Sequence, residues 1–174
     1  MVREMESKKS MRIIMAVALI AGIGFAPSAS AATKPTVAQK AQLQYIVEEE
    51  KLARDVYAYL AANVTTQKFS NITRSEQVHM DQIAALLKTY KYWNPTLTRA
   101  PGVFYNASLQ ALYNKLIAQG SVDYASAMGV GIAIEEMDIS DLAKMMNGDM
   151  PADMKLALDN LMRGSVNHLA AFRR

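Results

Sequence analysis

Glu76 and His79 stand three residues apart in "SEQVHM", just ahead of the apolar run "IAALL". In a helix that spacing separates two side chains by about 60°. A carboxylate and an imidazole would thus project together from what should be the buried stripe. Such a pair serves one of three ends: a helix cap, a satisfied buried ion pair or a metal site. Thr73-x-x-Glu76 fits the capping box, in which a glutamate returns to the N-cap backbone, although Ser70 and Asn71 offer earlier caps. As ligands, hard carboxylate oxygens with imidazole nitrogen suit iron or manganese, and zinc is also accommodated.

Helices have to position these groups. No segment sustains a strand-type alternation, and apolar residues recur at steps of three and four, so the fold class expected is all-α. The first helix is expected from about Thr36 to Val64 and the second from near Ser70 to about Tyr92. "WNPTLTRAPGVFYN" is a long connection broken by Pro95, Pro101 and Gly102. A short helix follows from Ser108 to Ala118, closed by Gly120. The third long helix runs from about Val122 to Met146, and the last opens at "DMPADM", with Pro151 near N1, and reaches Phe172. Four long helices, with one long crossover and a short extra helix between the second and third, make the topology of a ferritin-like four-helix bundle.

The stripes of these helices carry polar residues where a core should be. Steps of three and four give Leu43, Ile46, Glu50, Ala53, Tyr57 and Leu60 on the first helix, and Ile72, Glu76, His79, Ile83 and Leu86 on the second. They give Ile132, Glu136, Ile139 and Ala143 on the third, and Leu158, Leu161, Ser165, His168 and Phe172 on the last. Each long helix thus brings a metal-capable side chain to its apolar face. A buried carboxylate costs several kcal/mol unless it is paired or binds a metal. Two divalent cations would neutralise three such carboxylates and supply the partners they lack.

Neighbouring residues leave alternatives open. The apolar stripe favours Glu136 as the ligand of the third long helix, while Glu135 begins an E-x-x-D pair with Asp138. Glu48 is expected in solvent, as charge runs usually are, and Glu49 lies beside the stripe as an outer support. Tyr57 is either a core tyrosine or, as the catalytic candidate, a hydrogen-bond donor or radical sink beside the ligands. Asp138 and Asp141 are candidates for orienting a ligand histidine. "MMNGDMPADM" holds four methionines. Thioethers bind copper(I), but methionine also fills gaps in a core.

Composition narrows the function. The chain has 174 residues and no cysteine, so thiolate catalysis and thiolate metal sites are excluded. Lys8, Lys9 and Arg12 precede an apolar run to about Ala26, and "ASA" follows. That is the layout of a signal peptide over residues 1–31, with cleavage after Ala31 and export to the periplasm or cell exterior. A domain over 32–174 would then carry 15 basic and 14 acidic residues. So near-neutral a chain gives no reason to expect nucleic acid as a partner. No stable membrane span is expected after cleavage. The partners expected are metal ions, dioxygen or peroxide, and a second copy of the chain in a homodimer.

Four stretches, in order, carry a family resemblance. "EKLARDVY", Glu50 to Tyr57, resembles the first-helix motif of rubrerythrins, in which Glu, Ala, Arg and Tyr recur at these offsets. "EQVH" resembles the Glu-x-x-His of the second helix in ferritin-like di-iron proteins. Together with "VGIAIEEMDISDL" and "RGSVNHLAAF", the chain resembles an uncharacterised ferritin-like family, domain of unknown function 2202, over nearly all of residues 32–174. The resemblance implies that Glu50, Glu76, His79, a glutamate of the third long helix and His168 are metal ligands. It departs from the wider pattern at Ser165, where a second Glu-x-x-His would place its glutamate. Water, Glu135 or Asp138 fills that gap, or a single metal binds. The expected chemistry is oxidation of Fe(II) by dioxygen or peroxide at a di-iron or di-manganese site. The competing expectation is a non-enzymatic, metal-stabilised or metal-sensing module.

Overall fold

Thr36 Oγ1 accepts from the backbone of Gln39, and Gln39 Oε1 accepts in return from Thr36 N. This reciprocal cap opens α1, Val37–Asn63. The computed structural model of the protein describes residues 34–174, so the expected leader lies outside the described residues. α2 spans Gln67–Thr89, α3 Ala107–Gly120, α4 Tyr124–Met145 and α5 Ala152–Phe172. Among the described residues there is no strand.

α2 starts earlier than the sequence suggests. Thr66 is its N-cap, and Ser70, Asn71 and Thr73 lie inside the helix. Thr73 Oγ1 donates to the carbonyl of Phe69, so it caps nothing and the capping box for Glu76 is removed. The physical reason is Phe69, which is fully buried and draws an extra turn onto the core. α2 also ends earlier, at Thr89 rather than Tyr92. Lys91 takes the left-handed region at φ 58. The N–H groups of Lys91 and Tyr92 return to the carbonyls of Lys88 and Leu87, which satisfies the last turn.

α1 packs along α2 and α4 along α5, while α2 meets α5 and α1 meets α4. The four long helices therefore close a ring, and α3 lies against α1 and α4. The apolar core is in two parts. One gathers Val56, Tyr57, Phe69, Ile134 and Phe172 toward one end. The other gathers Leu43, Ile46, Ile83, Leu142 and Leu158 toward the opposite end. Between them every long helix contributes polar residues: 48–51 from α1, 76 and 79 from α2, 135 and 138 from α4, and 165 and 168 from α5. Of the four methionines near the α4–α5 turn, Met145 and Met154 are buried in the second cluster and Met146 and Met150 pack against it.

The run "EEEKLARD" is not a solvated face. Glu48, Lys51 and Asp55 are all buried and form a stripe toward the crossover and α3. Glu48 accepts from the backbone of Tyr105 at 2.5 Å and of Asn106 at 3.1 Å, at the entrance to α3. Its negative charge there faces the partial positive end of the helix. Lys51 Nζ pairs with Asp55 at 2.5 Å, donates to the Ala100 carbonyl at 2.9 Å and lies over the Phe104 ring. Asp55 also accepts from Gly102 N at 2.8 Å. The expectation for Glu48 fails because the crossover covers it with backbone N–H groups. Glu48→Ala should therefore destabilise the fold by about 1–3 kcal/mol, the usual result of stranding buried donors. Urea unfolding checks this: a lower midpoint is expected.

Candidate metal centre

Glu76 lies at the middle of the polar layer, 2 % exposed. Its Oε2 is 2.8 Å from His79 Nδ1, and its Oε1 is 2.8 Å from His168 Nδ1. Glu50 Oε2 approaches the same His79 nitrogen at 3.3 Å, and Glu135 Oε2 approaches the His168 nitrogen at 3.6 Å. The result is two three-residue groups, Glu50–Glu76–His79 and Glu76–Glu135–His168, that share Glu76. In each group one atom per residue lies within 4.8 Å of the others. The two imidazoles stack at 5.5 Å.

Several of these contacts are close without being hydrogen bonds. Glu76 Oε1 and His168 Nδ1 are 2.8 Å apart, yet each lacks an aligned hydrogen-bond partner, as does Glu50 Oε1. Donor atoms that share an ion at about 2.1 Å and at right angles lie roughly 3 Å apart. Near approach without alignment is therefore what a common cation requires. The helices supply the set through steps of three and four: Glu50, Ala53 and Tyr57 on α1; Glu76 and His79 on α2; Glu135 and Asp138 on α4; Ser165 and His168 on α5.

Charge is strongly displaced here. Burial pushes Glu50 well above the carboxylate range, against the pull of His79. Burial also lifts Glu135 to about 7. Burial acts upward on Glu76 too, but the His168 and His79 contacts outweigh it and hold the group at about 2. Burial would depress both histidines. Glu50 and Glu76 reverse that for His79, to about 10, and Glu135 and Glu76 reverse it for His168, to about 9. Without a metal the centre is thus held by imidazolium–carboxylate contacts, and a cation must displace protons to bind.

The surroundings fix the donors. Tyr57 Oη donates to Glu135 Oε1 at 2.7 Å, leaving Oε2 to face His168. Ser75 Oγ meets His168 Nε2 at 2.9 Å, so Nδ1 is turned inward. His79 is backed by Gly164: a Cβ there would lie 2.3 Å from Nε2. Ser165 Oγ is hydrogen-bonded to Asp138 Oδ2 and lies 3.0 Å from the Leu161 carbonyl.

Five of the residues singled out from the sequence as metal candidates come together: Glu50, Glu76, His79, Glu135 and His168. Glu136 does not. It is exposed and pairs with Arg173 at 2.6 Å. The stripe drawn through Ile132 and Glu136 was one position off, because "VGIAI" is apolar on every side and offers no contrast to fix the phase. The buried face of α4 runs through Gly131, Ile134, Glu135, Asp138 and Leu142. Asp138 and Asp141 do not orient a histidine. Asp138 is bonded by Ser165, and Asp141 pairs with Lys144 at 2.6 Å. Ser75 and Gly164 were not foreseen. A glycine in mid-helix, four residues before His168, was the available signal for the second, since glycine there weakens a helix unless something needs the space.

Residues 39–174 match the family described as Uncharacterized protein domain (DUF2202). The chain is 45% identical over 127 residues to "Uncharacterized protein MJ0754" of Methanocaldococcus jannaschii, covering 73% of this chain and 69% of that protein. It is also similar to the crystal structure of hypothetical protein MJ0754 from that organism, with a TM-score of 0.78 and 42% identity, covering 82% of each chain.

Proposed function

Since the chain belongs to the DUF2202 family, we propose from the chemistry of its buried centre that it is a ferritin-like metal-binding protein that holds two divalent cations, iron first among them. The observation that carries this is the division of Glu76 between two histidines, each flanked by a further carboxylate. Glu50, Glu76 and His79 would hold one ion, and Glu76, Glu135 and His168 the other. Three carboxylates and two imidazoles, with buried donor atoms lacking partners, fit a hard divalent pair better than they fit a hydrogen-bonded core. Manganese and zinc fit the same donors.

Bound iron would supply electron transfer to dioxygen or peroxide. The chain's own part is position and exclusion of water. Tyr57 holds Glu135 by one oxygen, and the Tyr57–Phe69–Phe172 cluster closes one side of the centre. The N-terminal leader pattern supports a place of action outside the cytoplasm.

The test is elemental analysis of the protein after anaerobic reloading, followed by oxygen uptake with Fe(II). Two metals per chain with turnover support an oxidase or peroxidase. Two metals without turnover would leave a binding module. Glu135→Gln should lower affinity by at least about 10-fold, since even an outer partner of a metal ligand is worth that much. Glu136→Gln should match the wild type. Equal, small effects of the two substitutions would remove α4 from the ligand set.

A further inference from the structure

Glu49 is 1 % exposed, and neither of its carboxylate oxygens has a hydrogen-bond partner. It is not a member of either metal group, and it faces α4 rather than α2. Asp138, 5 % exposed, keeps one oxygen on Ser165 and leaves Oδ1 without a partner. The charges Glu49 meets across the α1–α4 seam are Asp138, Asp141 and, opposing them, Lys144. Those Asp138 meets include Glu50, Glu76 and Glu135 of the centre itself. Toward the surface, Tyr45, Asp141 and Lys144 line a hollow of about 350 Å³ between the same two helices. Tyr45 is one turn before Glu49, and Asp141 one turn after Asp138.

We propose that Asp141, Glu49 and Asp138 form the route by which divalent cations pass from this surface hollow to the buried centre. The proposal rests on the two-cation reading of that centre and adds how the ions arrive. A cation crossing between two helices loses its water, and that loss is costly unless oxygen donors replace it. Side-chain carboxyl groups offset the loss only if their oxygens are free to coordinate. Those of Glu49 accept no hydrogen bond, and one of Asp138 accepts none, so they are free. Asp141 stands at the mouth, already paired with Lys144 at 2.6 Å, an exchangeable counter-ion that an incoming cation replaces. Buried acids without partners destabilise a fold, and transit gives this pair a use that packing does not.

Cobalt(II) is the probe, followed by its visible absorption after rapid mixing with the metal-free full chain, with equilibrium capacity measured separately. Glu49→Gln should slow loading by about 10-fold or more, because it removes the one group on the route whose two carboxyl oxygens are both free to take the cation. Its final stoichiometry and affinity should stay at wild-type values. Asp141→Asn, at the surface and safe for folding, should slow loading less, and added salt should shrink the difference. Glu136→Gln should load at the wild-type rate. Wild-type loading by both Glu49→Gln and Asp141→Asn would overturn the route. So would loss of capacity in Glu49→Gln, which would make it a ligand. If the wild type takes up no cobalt at sites dependent on His79 and His168, the two-cation reading itself falls.

Discussion

Gly164→Ala should empty the His79 side of the centre. The added Cβ would stand 2.3 Å from His79 Nε2 and 2.4 Å from Cε1, well inside contact distance. His79 cannot yield in place. Its Nδ1 is held between Glu76 at 2.8 Å and Glu50 at 3.3 Å. The ring must rotate or α5 must move away, and either change spoils the donor geometry of one ion. Affinity for that ion should fall by about 10- to 100-fold, as when an outer partner of a ligand histidine is lost. Elsewhere in a helix the same substitution would stabilise by up to about 1 kcal/mol. Titration with Mn(II) should show one binding step weakened and the His168 step kept. Combining it with His79→Ala should add little, because both changes remove one ligand. Two unaltered binding steps, with a raised melting temperature, would show that the glycine has no part in the centre.

The centre was legible where a charge interrupts an otherwise apolar period. Glu50, Glu76, His79 and His168 each sit on a stripe whose other members are buried, so steps of three and four locate them. On α4 the period is blurred by "VGIAI", and only the packed structure separates Glu135, facing His168, from Glu136, facing Arg173. The outer stripe of α1 was illegible for a different reason. Glu48 looks like part of a solvated charge run because its partners are backbone groups 57 and 58 residues away, and those of Lys51 and Asp55 lie 49 and 47 residues away in the same crossover. No local pattern announces such partners. Helix ends were shifted by a few residues where one buried aromatic, Phe69, or one left-handed residue, Lys91, decided them.

The metal-free protein should become less stable as pH rises from about 5 to about 10, and metal should restore most at the alkaline end. His79 and His168 titrate near 10 and 9 in the fold, against 6.5 for the ordinary imidazole. Their contribution is complete below about 6.5 and is lost as pH climbs through 9 to 10. Glu135 and Glu49, raised to about 7 and 9 from 4.5, act in the same direction: burial favours their neutral forms, and the fold loses that advantage as pH passes 4.5 and approaches those values. Glu76 opposes them. Held near 2, it contributes above 4.5 and is lost only as pH falls toward 2. Metal reverses the trend because it binds only after the imidazole protons leave. At a free concentration 100 times its dissociation constant, each independent ion should add about 2.7 kcal/mol. In a domain of this size that is roughly 5–10 °C in melting temperature. The rise with Mn(II), or with Fe(II) under anaerobic conditions, should therefore be small at pH 5 and large at pH 8. His168→Leu should remove the part due to its own ion and should also lower the stability of the metal-free protein at pH 8, since it leaves Glu76 and Glu135 buried without their imidazolium. Glu136→Gln, on the surface, should keep the full response. A metal-free melting temperature that is flat from pH 5 to 9 would show that the imidazoles are not held charged by their carboxylates. No rise for any divalent ion across that range would mean that Glu76 and its histidines are a hydrogen-bonded core and that no cation belongs between them.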